Sequence, residues 1–179
     1  EASKSSFSDV ASNIPLALIA EVSAPVYEGT TLRATHVAIN GNYAYVSYNV
    51  EGSKYLGGVD VINISDPIAP KIELQAILPD TDISSLTYYN NALYIAGATN
   101  SSDVDESNPA VLIKMDLDNG LPTEKVNLFD MSSYVTTDVI ANDKGVFGFP
   151  FSFESVPTFR YYQIQHLDIS INKPCHAQY

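Results

Sequence analysis

Tryptophan is absent from this chain of 179 residues, and cysteine occurs once, at Cys175. A single cysteine forms no internal disulfide and no multi-cysteine metal site, so neither device is expected to hold the fold. Basic residues are scarce. Nine Lys and Arg stand against 21 Asp and Glu, for a net charge of −12. A surface of that sign repels phosphate backbones and anionic membranes, so nucleic acid is not an expected partner. No apolar run approaches the ~20 residues that a membrane-crossing helix needs, and a membrane span is not expected.

What is present favours strands. Apolar residues make up 45% of the chain, and Tyr alone occurs 12 times. Branched and aromatic side chains suit a pleated, half-buried surface. Ten Pro and nine Gly are spread along the chain, as short strands joined by turns require. The length suffices for one domain with a real core. The opening Glu1–Ser6 is small and polar and fits the mature end left after a leader is removed, which points to export.

Residues 1–13 read as a flexible polar arm, and residues 14–179 as the folded part. A strand is expected over 14–22, followed by a loop over 23–34. In His36–Ser47 two short strands flank Asn40-Gly41, a strong hairpin signal because such turns need positive φ. A loop over 48–56 leads to a strand over 58–64. Ser65-Asp66-Pro67 then turns the chain, since Asp bonds backbone N–H groups ahead of it and Pro fixes φ. A further strand runs over 71–78.

The order recurs. Leu86–Ile95 aligns with Val37–Val46, and Val139–Gly148 aligns with both. Tyr94 follows Tyr45 by 49 residues, and Phe147 follows Tyr94 by 53. In the second half of the unit Asn63, Asp116 and Asp168 fall at one position, each between apolar neighbours. The repeats lie near 35–78, 84–128 and 137–174, with 14–22 as an additional outer strand. A unit of about 50 residues and four strands fits a propeller blade. The expected fold is all-β, a propeller-like array of about three four-stranded antiparallel blades. A β-sandwich is the rival, but it has no reason to repeat its internal spacing.

Two stretches resemble a known repeat. Asn40-Gly41-Asn42-Tyr43-Ala44-Tyr45-Val46 and Gly58-Val59-Asp60-Val61-Ile62-Asn63-Ile64-Ser65-Asp66-Pro67-Ile68-Ala69-Pro70 are similar to the LVIVD-type repeat of bacterial and archaeal surface β-propellers. The match is good over one repeat. It is weaker in the others, where the Ser-Asp-Pro turn becomes Asp118-Asn119-Gly120 and Ser170-Ile171-Asn172. Asn63 departs from the family's Asp, which Asp116 and Asp168 keep. The resemblance implies a propeller at a bacterial cell surface or in another extracytoplasmic place. It implies no reaction, because such repeats share no catalytic residues.

Three blades do not close a ring, since propellers use about four to eight. The chain is therefore expected to join the remaining blades of a longer chain, or to combine with a second copy.

In a four-stranded meander the long connections 48–56, 97–109 and 149–162 share one end with 23–34 and 79–84. Long loops on a rigid scaffold are where binding usually resides. The candidate ligand-binding residues there are Tyr48, Lys54, Tyr55, Phe151, Phe153, Phe159 and Arg160, with Glu51 and Tyr161 nearby. Exposed rings stack on sugar faces or anchor peptides, although rings at blade ends also serve as cover. Asp103, Asp105 and Glu106 form a weak calcium candidate, because closely spaced carboxylates are hard oxygen ligands. A solvated acidic loop explains them as well, and no cofactor is expected.

His36, Ser85 and Asp138 share one position at the start of the innermost strand of each repeat and are expected at the mouth of the central channel. A catalytic triad is not expected, since equivalent positions in neighbouring blades should lie too far apart for direct hydrogen bonds. His166 and His176 lack metal-ligand spacing. Asn63-Ile64-Ser65 and Asn100-Ser101-Ser102 fit the glycosylation pattern, which means little in a bacterial protein.

The leading expectation is a non-catalytic, extracytoplasmic binding module that presents its long loops to a glycan or protein. One alternative is part of a propeller enzyme, a polysaccharide hydrolase or lyase, for which paired carboxylates in one cleft would be diagnostic. A purely structural surface protein is the other.

Overall fold

The computed structural model describes residues 17–102, 104 and 107–151. All regular elements among these residues are β-strands. A two-residue hairpin comes first, β1 (Val26–Tyr27) with β2 (Thr30–Thr31). The first sheet is an antiparallel meander of β3 (Arg33–Asn40), β4 (Tyr43–Asn49), β5 (Gly57–Asn63) and β6 (Lys71–Leu78). The second is a like meander of β7 (Thr81–Tyr89), β8 (Ala92–Thr99), β9 (Ala110–Asp118) and β10 (Leu121–Asp130). The third, among the described residues, is the antiparallel pair of β11 (Val135–Asn142) and β12 (Gly145–Phe151). The expected later strands of that unit, including Leu167–Ser170, lie outside the described residues. Among the described residues no helix is long and apolar enough to cross a membrane.

The leading hairpin of each sheet has the same register. Val37 faces Val46, Leu86 faces Ile95, and Val139 faces Gly148. Each closes with a two-residue loop, but the loops differ. The first is Gly41-Asn42 rather than Asn40-Gly41, and of that pair only Gly41 has positive φ, at 57°. The second is Asn90-Asn91, both left-handed, which Asn tolerates better than most residues.

Packing follows the sequence pattern. Tyr45, Val59 and Val61 of the first sheet share one apolar layer with Leu86, Leu93, Ile95 and Ile113 of the second. On the other side of the second sheet Ala96 and Leu112 pack with Met131, Val139 and Val146. Strands β8 and β9 thus lie between two apolar layers. Their near-continuous apolar sequences, rather than alternating ones, reflect this. Tyr45 is fully buried at the junction of the first two sheets. Its ring stacks on Tyr88 with centroids 5.9 Å apart, and its hydroxyl donates to the Gly120 carbonyl at 3.0 Å. Gly120 sits at φ 85° where a Cβ would lie 2.5 Å from the Tyr43 ring, so both conformation and space require glycine there.

Several expected boundaries move. Residues 17–22 of the expected first strand belong to no sheet, and Leu18 and Ile19 are exposed. The expected loop 23–34 contains the β1–β2 hairpin. Its neighbour Leu32 packs with Tyr48 and Leu56 over the outer face of the first sheet. The connection expected over 79–84 shrinks to Pro79-Asp80, because β7 starts at Thr81. The Asp66 turn forms as its residues dictate: Ile68 N–H donates to Asp66 Oδ1 at 3.2 Å, and Ser65 N–H donates to Asn63 Oδ1 at 3.0 Å. Asp116 does not take the turn-holding part of Asn63. It pairs with Lys114 at 2.8 Å and Lys125 at 3.0 Å. Its partial burial acts to raise its pKa, but the two ammonium groups outweigh that and hold it below the usual carboxylate range.

Asp60 is the anomaly of the first sheet. It is a fully buried carboxylate between Val59 and Val61, on the face turned away from the second sheet. Gln75 Nε2 donates to its Oδ1 at 3.0 Å. Burial pushes its carboxyl above the usual range, and bonds from Gln75 and the Tyr48 hydroxyl offset this only in part. A raised carboxyl pKa adds stability below the unfolded-state value and loses it as pH rises through the folded-state value. Asp60→Asn should therefore unfold at higher urea than the parent near pH 8, with the gap narrowing towards about pH 4. Parallel urea midpoints across that range would refute this.

Candidate functional site

His36, Ser85 and Asp138 stand near the same end of β3, β7 and β11. Each of those strands carries an irregularity in its pairing at this point: between Ala34 and His36, between Ile83 and Ser85, and between Thr136 and Val139. A bulge re-aims the side chains beside it. The result contradicts the expectation that these positions lie well apart. Ser85 Oγ donates to Asp138 Oδ1 at 2.6 Å and lies 3.4 Å from His36 Nδ1. Asp138 Oδ1 also accepts the Val139 N–H at 2.8 Å. Three strands from three sheets thus meet on one serine, which is itself almost fully buried while His36 and Asp138 are exposed.

The order of these bonds determines what the cluster can do. A carboxylate only accepts, so the one Ser85 proton goes to Asp138. Ser85 Oγ is then left to accept from an Nδ1–H of His36. In a Ser-His-Asp triad the imidazole stands between hydroxyl and carboxylate and removes the hydroxyl proton. Here the hydroxyl stands in the middle, and His36 is placed to give a hydrogen bond rather than take a proton. The arrangement joins the first strand of each sheet. Thr35 Oγ1 and Ser47 Oγ, 2.9 Å apart, continue the polar strip along β3 and β4.

Beyond this cluster three connections gather, whereas the seven-residue connection 64–70 lies at the opposite end. Residues 50–56 join β4 to β5, residues 100–109 join β8 to β9, and residues 131–134 join β10 to β11. The described residues of all three lie at the end where β3, β7 and β11 begin. The root of the 100–109 loop is tied down. Thr99 Oγ1 donates to the Asp80 carbonyl at 2.8 Å, Asn100 N–H donates to the same carbonyl at 3.0 Å, and Val104 is buried in the core. The Leu56 N–H donates to Asp82 Oδ1 at 3.2 Å and anchors the other loop.

The expected ligand-binding residues separate. Tyr48 does not take the expected place: it lies in β4, 4% exposed, packed with Leu32 and Leu56 near Asp60, and offers no ring to solvent. Lys54 is exposed. Tyr55 is half-buried, and burial, then Tyr134 and Asp82 nearby, push its hydroxyl pKa up. Phe151 is 48% exposed at the end of β12. Phe153, Phe159 and Arg160 lie outside the described residues, as do Asp103, Asp105 and Glu106 of the calcium candidate and His166, Cys175 and His176. Glu51 forms an exposed ion pair with Arg33, and such pairs are worth little.

Two residues here escaped the sequence reading. Tyr134 is 52% exposed, and its N–H donates to the Phe151 carbonyl at 3.2 Å, which sets the two residues side by side. The Ser133 hydroxyl donates to the same carbonyl at 2.7 Å. Asp82 is half-buried beside Tyr55, and burial raises its carboxyl despite the bond from Leu56. Tyr134 lies in a strand-to-strand connection that the repeat spacing assigns to this end, and that position is the signal that could have found it. Comparison with protein-family models, with curated proteins and with solved structures finds no match in any of the three.

If Ser85 joins the strands as the bonds indicate, Ser85→Ala should cost about 1–3 kcal/mol, the range for losing buried hydrogen bonds to a charged group. Urea unfolding checks this. A loss below about 0.5 kcal/mol would mean that the hydroxyl holds nothing.

Proposed function

We propose that this chain is a section of an extracytoplasmic β-propeller of the LVIVD-type repeat kind, and that its loop-rich end binds a glycan without catalysing a reaction. The observation that carries the reading is the surface around Tyr55, Tyr134 and Phe151. Three aromatic rings, two of them about half exposed, stand at one end of a rigid sheet scaffold with Asp82 and Asp138 beside the same strands. Aromatic faces cover the C–H faces of a sugar ring, while carboxylates accept its hydroxyl protons. Side chains with few rotors lose little entropy when a ligand settles on them. A net charge of −12 favours a neutral glycan over an acidic one.

The order of bonds at His36, Ser85 and Asp138 supports binding over hydrolysis, because the hydroxyl proton is already committed to a carboxylate. The repeat-like hairpin registers and the LVIVD-type residues support a propeller section.

A glycan array followed by titration of the strongest hit tests the proposal. Tyr134→Ala and Phe151→Ala should each weaken binding about tenfold, the equivalent of ~1.4 kcal/mol. Undiminished binding in both variants would place the ligand elsewhere. Capture of a protein partner with no glycan bound would replace the ligand class.

A further inference from the structure

The two contacts between sheets use equivalent positions, and among the described residues that equivalence leaves one face without its counterpart. In the first contact, Tyr45 and Val59 lie against Leu86 and Leu93. In the second, Ala96 and Leu112 lie against Val139 and Val146. By hairpin register Leu86 and Val139 are equivalent, as are Leu93 and Val146. Each sheet therefore presents a front face that the next sheet receives on its back. Such front-to-back contacts are heterologous, and they close into rings when the rotation permits.

The receiving face of the first sheet has the matching residues. Val37 is the equivalent of Leu86, and Ile39 of Tyr88. Leu86 is fully buried, whereas Val37 is 53% and Ile39 65% exposed. Ile72, joined to the same face through Ile62, is 45% exposed. Leu32 and the β1–β2 hairpin cover only the part around Tyr48 and Leu56. At the other end of the series, Ile140 on the front face of the third sheet is 49% exposed. It is the equivalent of Ala38, which packs into the contact between the first two sheets.

We propose that a second copy of this chain fills the open face. The third sheet of each copy lies on the Val37–Ile39 face of the other, and two chains together bring six sheets around a twofold axis. Six lies within the range in which such sheets close. The series His36, Ser85, Asp138 would continue from the exposed carboxylate of one copy to the exposed imidazole of the other. The segment 17–22, apolar and in no sheet, lies just before this face in the chain and is available as an outer strand. The inference stands apart from the glycan reading, because it concerns the protein without ligand.

Light scattering coupled to gel filtration, run on the whole chain across the micromolar range, tests the proposal. The expected mass is twice 19.5 kDa. Ile39→Asp should shift the species to monomer with its far-UV circular dichroism unchanged, since Ile39 is on the surface of a single copy. Ile39→Val should remain a dimer, as should Ile68→Asp, whose position is 71% exposed in the turn after β5. A parent chain that stays at 19.5 kDa throughout overturns the proposal. So does an assembly that grows without limit, or a dimer indifferent to Ile39→Asp.

Discussion

Tyr45 sits where the first two sheets meet, stacked on Tyr88 and bonded through its hydroxyl to the Gly120 carbonyl. The rest of the molecule depends on this kind of contact. A four-stranded sheet has two faces, and one that buries neither is not stable in water. Here the front faces of the first two sheets are each buried on the back of the next, and the spacing between the first two follows from the side chains at Tyr45, Leu86, Leu93 and Ile113. A large ring with a polar tip suits that junction, because its area is buried while its hydroxyl reaches a backbone acceptor.

That spacing has consequences at the first strand of each sheet. Bringing β3, β7 and β11 together places His36, Ser85 and Asp138 in one hydrogen-bonded set. Ser85 is small enough to sit between its neighbours, and the pairing irregularities of the three strands set its direction. The same packing brings the connections 50–56 and 131–134 to one end, where Tyr55, Tyr134 and Phe151 stand. The scaffold and the candidate binding surface are thus two results of one stacking rule.

Much of the scaffold could be read from the residues. The aromatic-rich run Tyr43–Asn49 and the turn chemistry of Gly41, Asn90-Asn91 and Asp66 act locally, so the strands and hairpins were legible. Register also followed, since a slip by one residue would turn every apolar side chain to the wrong face. Contacts between sheets were not legible in the same way. The distance from His36 to Ser85 depends on how closely two sheets pack, and nothing in the local sequence records it. Tyr48 was misplaced because the last residues of a strand look like the first residues of a loop. Residues 17–22 read as a strand from their apolar character, but a strand needs a neighbour to pair with, and none is supplied within the described residues. Asp60 stood in plain view within an apolar strand. Its burial follows from Leu32 and the β1–β2 hairpin covering that face, which again is a long-range fact.

The claim beneath all of this is that neighbouring sheets form one cooperative unit through the Tyr45 junction. A double-mutant cycle on Tyr45→Leu and Tyr88→Leu, read by urea unfolding, tests it most directly. The account predicts a coupling of about 0.5–1.5 kcal/mol, the range for stacked rings in contact. Effects that add within about 0.3 kcal/mol would contradict it, because independent sheets give independent losses.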